Sequence, residues 1–352
     1  MFEKKTIKGI PKSHENLNEN PNGYHVFGQN IYYQYPQRVL NDVKYLTKIE
    51  VGKPIIAYTS STAQIGIINE SFYRTGDNGA FQGLFPKFKE YNYNQILFVL
   101  VAMKRKFIGL GYNTSMAHIT DLHIKLPTEN GKINFEFMDA YISELEEERI
   151  SELTAYLTVS GLDNYELSKE EEEVLENLKL VQWEKYNLEK LFGKSKRGKR
   201  LKSDDRINGS LPFVTAGEAK TGISDFIGNE VEVFSKNTIT IDMFGSAKYR
   251  NYNYGGDDHI AVVNTEKIKP ESAIFVTSAV HKSSYNGQFN YGRNFYAKDA
   301  DALNIMLPTK NNEIDFSYME LLISAVKKLV IKDVVLYADN KIEATKKVVT
   351  KN

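Results

Sequence analysis

The chain contains no cysteine. Disulfides, thiol catalysis and zinc–thiolate sites are therefore excluded. It has one tryptophan and no net charge, 45 basic residues standing against 45 acidic ones, so no global field marks it for an acidic or a basic partner. Long apolar runs are missing too. The longest, "ILFVLVAM" at residues 96–103, is far shorter than the roughly 20 residues that span a bilayer. The opening "MFEKKTIKGIPKSHENLNENP" has no apolar stretch of the signal-peptide kind. The expectation is a soluble, cytoplasmic protein with no membrane partner. What is present is ordinary: 41% hydrophobic and 12% aromatic residues over 352 positions, enough for about two domains with a core each.

Catalytic signatures are equally scarce. A DNA methyltransferase needs an Asn/Asp-Pro-Pro-aromatic loop and a glycine-rich turn for its methyl donor. The first is absent, and "GLGYNT" (109–114) carries only two of the glycines of G-x-G-x-x-G. There is no phosphate-binding G-x-x-x-x-G-K-[ST] and no H-E-x-x-H zinc pair. His118 and His123 are five apart on a turn leading into a strand, which is not a metal-ligand pattern, and no metal site is expected. "GEAK" (217–220) holds the Glu218-x-Lys220 of a metal-dependent nuclease, a three-residue pattern without a matching Asp.

The strongest internal signal is repetition. "LPTENGKINFEFMDAYIS" (126–143) returns as "LPTKNNEIDFSYMELLIS" (307–324). Aligned without a gap at an offset of 181, residues 121–145 and 302–326 share eleven identities, from Leu122/Leu303 to Ser143/Ser324. Solenoid repeats run at about 20–50 residues, so this is a duplicated domain. Each half reads as strands followed by a helix. Residues 53–60 and 95–102 read as buried strands in the first half, and 237–244, "DHIAVVN" and "SAIFVTSAV" in the second. A strand-like "LHIKLP" or "LNIMLP" comes next, stopped by its proline. The period then changes to 3.6, with apolar residues at Met138, Tyr141, Ile142, Leu145, Ile150, Leu153 and Leu157, and at Met319, Leu322, Ile323, Val326, Val330, Val334 and Tyr337. Both are amphipathic helices of about six turns with a seam close to a heptad. Ser168 with Glu171 forms a capping box opening a short acidic helix. The boundaries fall at 1–133, a helical connector at 134–182, a second domain at 183–316 and a closing helix at 317–352.

Charge is segregated although its sum is zero. "KSKRGKRLK" (194–202) has six basic residues in nine, and "SKEEEE" (168–173) concentrates acid. The loops carry hydrogen-bonding side chains among aromatics and cations. The candidates are Ser60, Ser61, Gln64, Arg74 and Asn113 in the first half, and Lys220, Ser246, Lys248, Arg250, Lys282 and Arg293 in the second. Arg and Lys suit guanine edges and phosphates, and Asn and Gln suit adenine.

At these residues a family becomes visible. "GSLPFVTAGEAKTGISDFI", "NTITIDMFGSAKY" and "YNGQFNYGRN" resemble a target-recognition domain of restriction–modification specificity subunits. "GYHVFGQNIYYQYP" with "YTSSTAQIGI" resembles another variant of that domain. The connector "AYLTVSGLDNYELSKEEEEVLE" resembles the recognition subunits of BcgI-like (type IIB) systems and their type I relatives. The resemblance implies an α/β (α+β) fold with two tandem target-recognition domains on twisted mixed β-sheets. Long amphipathic helices pairing as an antiparallel coiled coil would separate them about an internal pseudo-two-fold. It also implies a non-catalytic DNA-recognition subunit, each domain reading one half of a bipartite site in double-stranded DNA. A partner methyltransferase, or fused methyltransferase–endonuclease, would use S-adenosylmethionine, Mg²⁺ and, in type I systems, ATP, with no cofactor in this chain. Two other readings stand beside it: a self-sufficient Mg²⁺-dependent nuclease using Glu218 and Lys220, and a carbohydrate- or protein-binding module using the tyrosine-rich loops.

Overall fold

Five consecutive buried residues, Ile55 to Thr59, set the layout of the first half. The computed structural model of the chain describes residues 1–11, 17–28, 31–32, 34–76, 80–88, 90–108, 119 and 121–344, and the backbone of 345–349. Contacts group it into two units, Met1–Leu153 and Thr154–Asn352. The first contains the strands β1 (Phe2–Thr6), β2 (His25–Phe27), β3 (Ile55–Thr59), β4 (Gln64–Ile68), β5 (Phe72–Arg74) and β6 (Phe81–Pro86). Helix α1 (Tyr93–Phe107), the hairpin β7 (Thr128–Glu129) and β8 (Lys132–Ile133), and α2 (Phe135–Val159), whose last residues from Thr154 belong to the second unit, follow. Four strands pair antiparallel in the order β1-β6-β3-β4, and β2 pairs parallel with β5. Successive strand residues face opposite ways, and β3 is covered on both sides. Ile56 and Tyr58 join a cluster built on α1, while Ile55 and Ala57 join another with Phe72 and Phe81. Burial pushes the pKa of Tyr58 up to about 12.

Two segments read as strands are helices. Residues 95–102 lie within α1, capped by Asn92, whose side chain accepts from the Gln95 N–H while the Gln95 side chain accepts from that of Asn92. A continuous apolar run does not reveal its period, so caps and length decide. The residues of α1 that are buried, Ile96, Val99, Leu100, Met103 and Phe107, follow helical spacing. "SAIFVTSAV" lies in the matching helix of the second unit.

That unit opens with α3 (Lys169–Glu176), β9 (Gln182–Asn187), α4 (Leu188–Phe192) and β10 (Lys196–Arg197). The strands β11 (Asn208–Val214), β12 (Ile223–Ile227), β13 (Val233–Phe234), β14 (Thr238–Asp242), β15 (Ala247–Arg250), β16 (Tyr254–Gly256) and β17 (Ile260–Asn264) come next. It closes with α5 (Pro270–Ser284), α6 (Ala297–Ala302), β18 (Asn304–Lys310), β19 (Glu313–Ile314) and α7 (Phe316–Val349). Its central sheet, β10-β17-β14-β15, repeats the order of the first, and β11 pairs parallel with β16 as β2 does with β5. Helix α5 buries Ala273, Val276, Thr277, Val280 and Ser284, the same spacing as in α1. The duplication thus extends through the whole domain and not only through its conserved end.

Beyond α5 the copies differ. "LNIMLP" lies in β18, central in the sheet β19-β18-β9, and the strand runs through Pro308, whose carbonyl accepts from the Asp315 N–H at 2.9 Å. "LHIKLP" is not a strand: residues 122–127 belong to no helix and to no ladder among the described residues. No described helix is long and apolar enough to cross a membrane.

The capping box on α3 is present, and its Glu171 does more than cap. That carboxylate is 4% exposed. It accepts from the Ser168 N–H at 2.7 Å, the Ser324 hydroxyl at 2.6 Å and the Lys328 ammonium at 2.8 Å, the last two on α7. Lys328 also donates to the Glu166 carbonyl at 2.9 Å. One member of the acidic run is therefore an internal clamp, while Glu170, Glu172 and Glu173 stay exposed. Burial alone would raise the pKa of Glu171, but Lys328, Ser324 and the Ser168 N–H outweigh it and hold it below the ordinary value of 4.5. The native state then binds fewer protons than the unfolded one. The stabilisation is complete above the ordinary glutamate range and disappears as pH falls through the lowered pKa. Glu171→Gln is expected to destabilise the second unit by about 1.5–3 kcal/mol at neutral pH, the size of hydrogen bonds to a charged group. In thermal melts its gap from the native chain should close in acid. A gap that stays constant down to acid pH would show that the ion pair is not its source.

Candidate nucleic-acid interface

The second unit gathers its candidate loops around one turn, residues 243–246 between β14 and β15. Asp242 builds that turn. It is 3% exposed, and its Oδ1 accepts from the N–H groups of Phe244 and Ser246, each at 3.0 Å. Its Oδ2 accepts from the Gly217 N–H at 3.3 Å, tying in the 217–220 loop. Gly245 adopts a φ of +87°, and a Cβ there would stand 2.3 Å from the Ser284 carbonyl oxygen. The Ser284 hydroxyl donates to the Gly245 carbonyl at 2.6 Å, and the Ala247 N–H donates to His281 Nδ1 at 3.2 Å. Both fix the C-terminal turn of α5 against the hairpin. Tyr291 packs edge-on against Phe244 at 5.2 Å, bringing in the 286–295 loop, and the Phe295 N–H donates to the Met243 carbonyl.

Functional groups line this frame. Lys248 Nζ donates to Ser246 Oγ at 2.9 Å and to Glu218 Oε1 at 3.1 Å, and lies 3.7 Å from Asp242. The Ser246 hydrogen bond and the Lys248 charge hold the carboxyl of Glu218 below its usual range. Glu218 therefore works with Lys248 and not with Lys220, and an ammonium sits between the two carboxylates that a nuclease would use. Lys220 is exposed, in left-handed backbone at φ +48°. Lys282 is exposed at the end of α5. Arg293 is exposed, lies over the Phe289 ring at 5.3 Å and approaches Asp299 at 4.0 Å.

Three predicted readers are withdrawn by burial, Ser246 at 2% exposed and two arginines. Arg74 is 0% exposed and donates to the carbonyls of Ile7 and Thr75 at 3.2 and 3.3 Å. Arg250 is 1% exposed and donates to Thr240 Oγ1 at 3.0 Å and to Tyr252 Oη at 2.9 Å. A guanidinium inside a core cannot reach a base edge, and these two hold strands together. Both lie within strands and not in turns, a signal the sequence carried. Asn113 lies outside the described residues. The remaining first-half candidates sit on the β3–β4 turn. Ser60 is half-buried and donates to the Ala80 carbonyl at 3.2 Å, Ser61 is partly exposed, and Gln64 pairs with Thr59 in the ladder. Tyr32 Oη donates to the Ile65 carbonyl at 3.0 Å, and the Ile31 N–H donates to Thr59 Oγ1. The hairpin takes the corresponding place in its sheet and the described side chains of its turn are uncharged, while Lys104, Arg105 and Lys106 stand exposed at the end of α1 as Lys282 does on α5.

The basic run 194–202 is partly neutralised at home. Lys196 pairs with Glu232 at 3.0 Å, and Arg197 and Arg200 approach Asp258 at 3.3 and 3.8 Å. Among the described residues one cluster of metal-capable side chains gathers: Asp257, Asp258 and His259. Those two arginines and the His259 ring already lie against its carboxylates.

A family model, described as the type I restriction modification DNA specificity domain, matches residues 1–155 and again 181–335. The specificity subunit S of the type II restriction enzyme BcgI from Heyndrickxia coagulans is 22% identical over 280 residues, 78% of this chain and 77% of that one. The crystal structure of a type I restriction–modification S subunit from M. genitalium superposes with a TM-score of 0.55 at 14% identity, covering 99% of this chain and 91% of that one. That likeness bears on the fold alone.

The burial pattern separates structural from free cations in a measurable way. Arg250→Ala is expected to lower thermal stability by about 1.5–3 kcal/mol for each hydrogen bond lost to the charged group. Lys220→Ala should leave the melting temperature unchanged within error. Equal melts for the two variants would mean that Arg250 does not anchor its sheet.

Proposed function

The chain belongs to the type I restriction modification DNA specificity domain family, whose model it matches twice, and from that premise we propose how it works. It is the specificity subunit of a restriction–modification system and reads a bipartite site in double-stranded DNA, one unit per half-site. The observation that carries this reading is the duplication itself. Two sheets of the same strand order each present a β-hairpin at the corresponding place. A single-site reader has no use for two.

Within the second unit, the exposed Lys220, Lys282 and Arg293 are placed to meet phosphates and guanine edges. Glu218 and Lys248 form a pair whose carboxylate would repel phosphates at close range but suits the amino group of cytosine, while the ammonium suits guanine. In the first unit Ser60, Ser61 and Gln64 offer neutral donors and acceptors. The helices α2 and α7, of 25 and 34 residues, extend about 38 and about 51 Å at about 1.5 Å per residue. This compares with one turn of B-DNA, about 34–36 Å, and supports a spacer role between half-sites. Their antiparallel pairing, the division into domains at 134–182 and 317–352, and action in the cytoplasm belong to this proposal. The apolar side chains left exposed on them, Phe137, Tyr141 and Tyr156, and Val326, Leu329, Val330 and Tyr337, suit a protein partner. That partner is a methyltransferase or a fused methyltransferase–endonuclease, which brings S-adenosylmethionine, Mg²⁺ and, in a type I system, ATP.

Methylation sequencing of DNA from cells expressing the chain with its partner tests the reading. The expected product is methylation at two short half-sites around an unread spacer, with no methyl transfer by the isolated chain. Arg293→Ala should relax one position of one half-site at a cost of about 1–3 kcal/mol, and Lys220→Ala should weaken binding to all sequences alike. Methylation by the chain alone, or a single contiguous site, would refute the proposal.

A further inference from the structure

One structural difference between the two copies of the repeat lies at their C-terminal end. In the second unit, β18 is sandwiched: β9 pairs with it antiparallel from Asn304↔Asn187 to Thr309↔Gln182. On the face toward the core, Ile305 and Leu307 are fully buried, and α4, which continues directly from β9, contributes Leu188 and Leu191 to the same cluster. The aligned residues of the first unit are His123 to Thr128. Their path is the same at its end, where the Pro127 carbonyl accepts from the Asn134 N–H at 2.9 Å as Pro308 does from Asp315. Among the described residues no strand pairs with this segment as β9 does with β18. From residue 123 to 126 no backbone group has a backbone partner among the described residues. Ile124 and Leu126 are only partly buried where Ile305 and Leu307 are sealed, and Leu122 is 37% exposed.

A segment whose N–H and C=O groups have no backbone partner among the described residues, above a half-covered core, is an acceptor for an added strand. We propose that residues 122–128 of the first unit receive, by antiparallel strand addition, an extended segment of the partner polypeptide with the chemistry of β9 and α4. That chemistry is a six-residue strand carrying a Trp-x-x-x-x-Leu-x-x-Leu pattern, as in Trp183, Leu188 and Leu191. The β9–β18 register fixes how it sits. Its residue equivalent to Tyr186 lies opposite Ile124, and its residue equivalent to Glu184 lies opposite Leu126. Charge selects the occupant further. Lys125 stands where the second copy has Met306, which faces Lys185. A basic residue opposite Lys125 is unfavourable and an acidic one favourable, so the cognate strand carries Asp or Glu at that position. Only the identity of the partner rests on the specificity-subunit reading; the open edge does not.

The test uses the full chain and a peptide of sequence QWEKYNLEKLF, residues 182–192. Hydrogen exchange should show fast amides over 122–126 in the chain alone. The peptide should slow them, and its Lys185→Glu form should bind several-fold tighter. In the chain assembled with its methyltransferase subunit the same amides should be slow and the peptide excluded. Amides already protected in the dilute chain would show that the edge is covered from within. Protection that grows with chain concentration alone would assign the site to a second copy. An assembled complex in which the edge still exchanges fast would overturn the partner assignment. Any of these overturns the proposal, while duplex binding by the same samples reports separately on the DNA-reading function.

Discussion

A buried carboxylate needs donors, and Asp242 obtains its own by bending the chain around itself. With two N–H groups of its own turn and one from Gly217 directed at it, the 243–246 turn has little freedom. Everything candidate in the second unit is fastened to that turn: Glu218 and Lys220 through Gly217, Lys248 through Ser246, Lys282 through the α5 end, and Arg293 through the Tyr291 loop. Replacing Asp242 by an apolar residue would leave these N–H groups without a partner in a site closed to water, at about 1–3 kcal/mol each. The loops would lose their common reference at the same time. A rigid centre with exposed charged ends is what sequence reading requires, because a contact specifies a base only if its position is fixed before DNA arrives.

The second constraint acts at longer range. Glu171 takes a residue from the most acidic stretch and places it under α7, where Lys328 and Ser324 leave it fully partnered. An acidic run at the surface would ordinarily be a solvated face. Here one carboxylate in four is structural, and the other three remain available to repel phosphate. The same economy governs the basic run, where Arg197 is used against Asp258 and the ring of Tyr296. Local charge density therefore overstates the basic surface offered to DNA.

Much of the domain plan was legible in the sequence. The offset of 181 residues announced the duplication, the helical period at Met138 and Met319 located both long helices, and Ser168 with Glu171 marked the start of α3. What failed has physical causes. Residues 95–102 are apolar at all but one position and 272–280 at six of nine, so period does not separate helix from strand, and the information lies in Asn92 and Pro270 at the helix starts. Arg74 and Arg250 were chosen for residue type, yet their strand context placed them inside. The partnership of Glu218 with Lys248 spans thirty positions and depends on the β14–β15 hairpin register, which no local pattern encodes.

The comparison of the two turns shows how one frame serves two readings. Both units hold a hairpin at the same place in the same sheet. The second fixes it by charge, with Asp242, Lys248 and Glu218 in one network. The first fixes it by neutral groups, with Thr59 accepting from Ile31, Ser60 bonded to Ala80 and Tyr32 to Ile65. Backbone topology is thus shared between copies through buried residues at five matching positions of α1 and α5, while the polar residues at the turn have diverged. Packing tolerates this because turn side chains contribute little to the core. At the turn itself one copy offers ammonium and carboxylate groups and the other hydroxyls and one amide, while both keep exposed cations at the end of the covering helix, Lys104, Arg105 and Lys106 on α1 and Lys282 on α5.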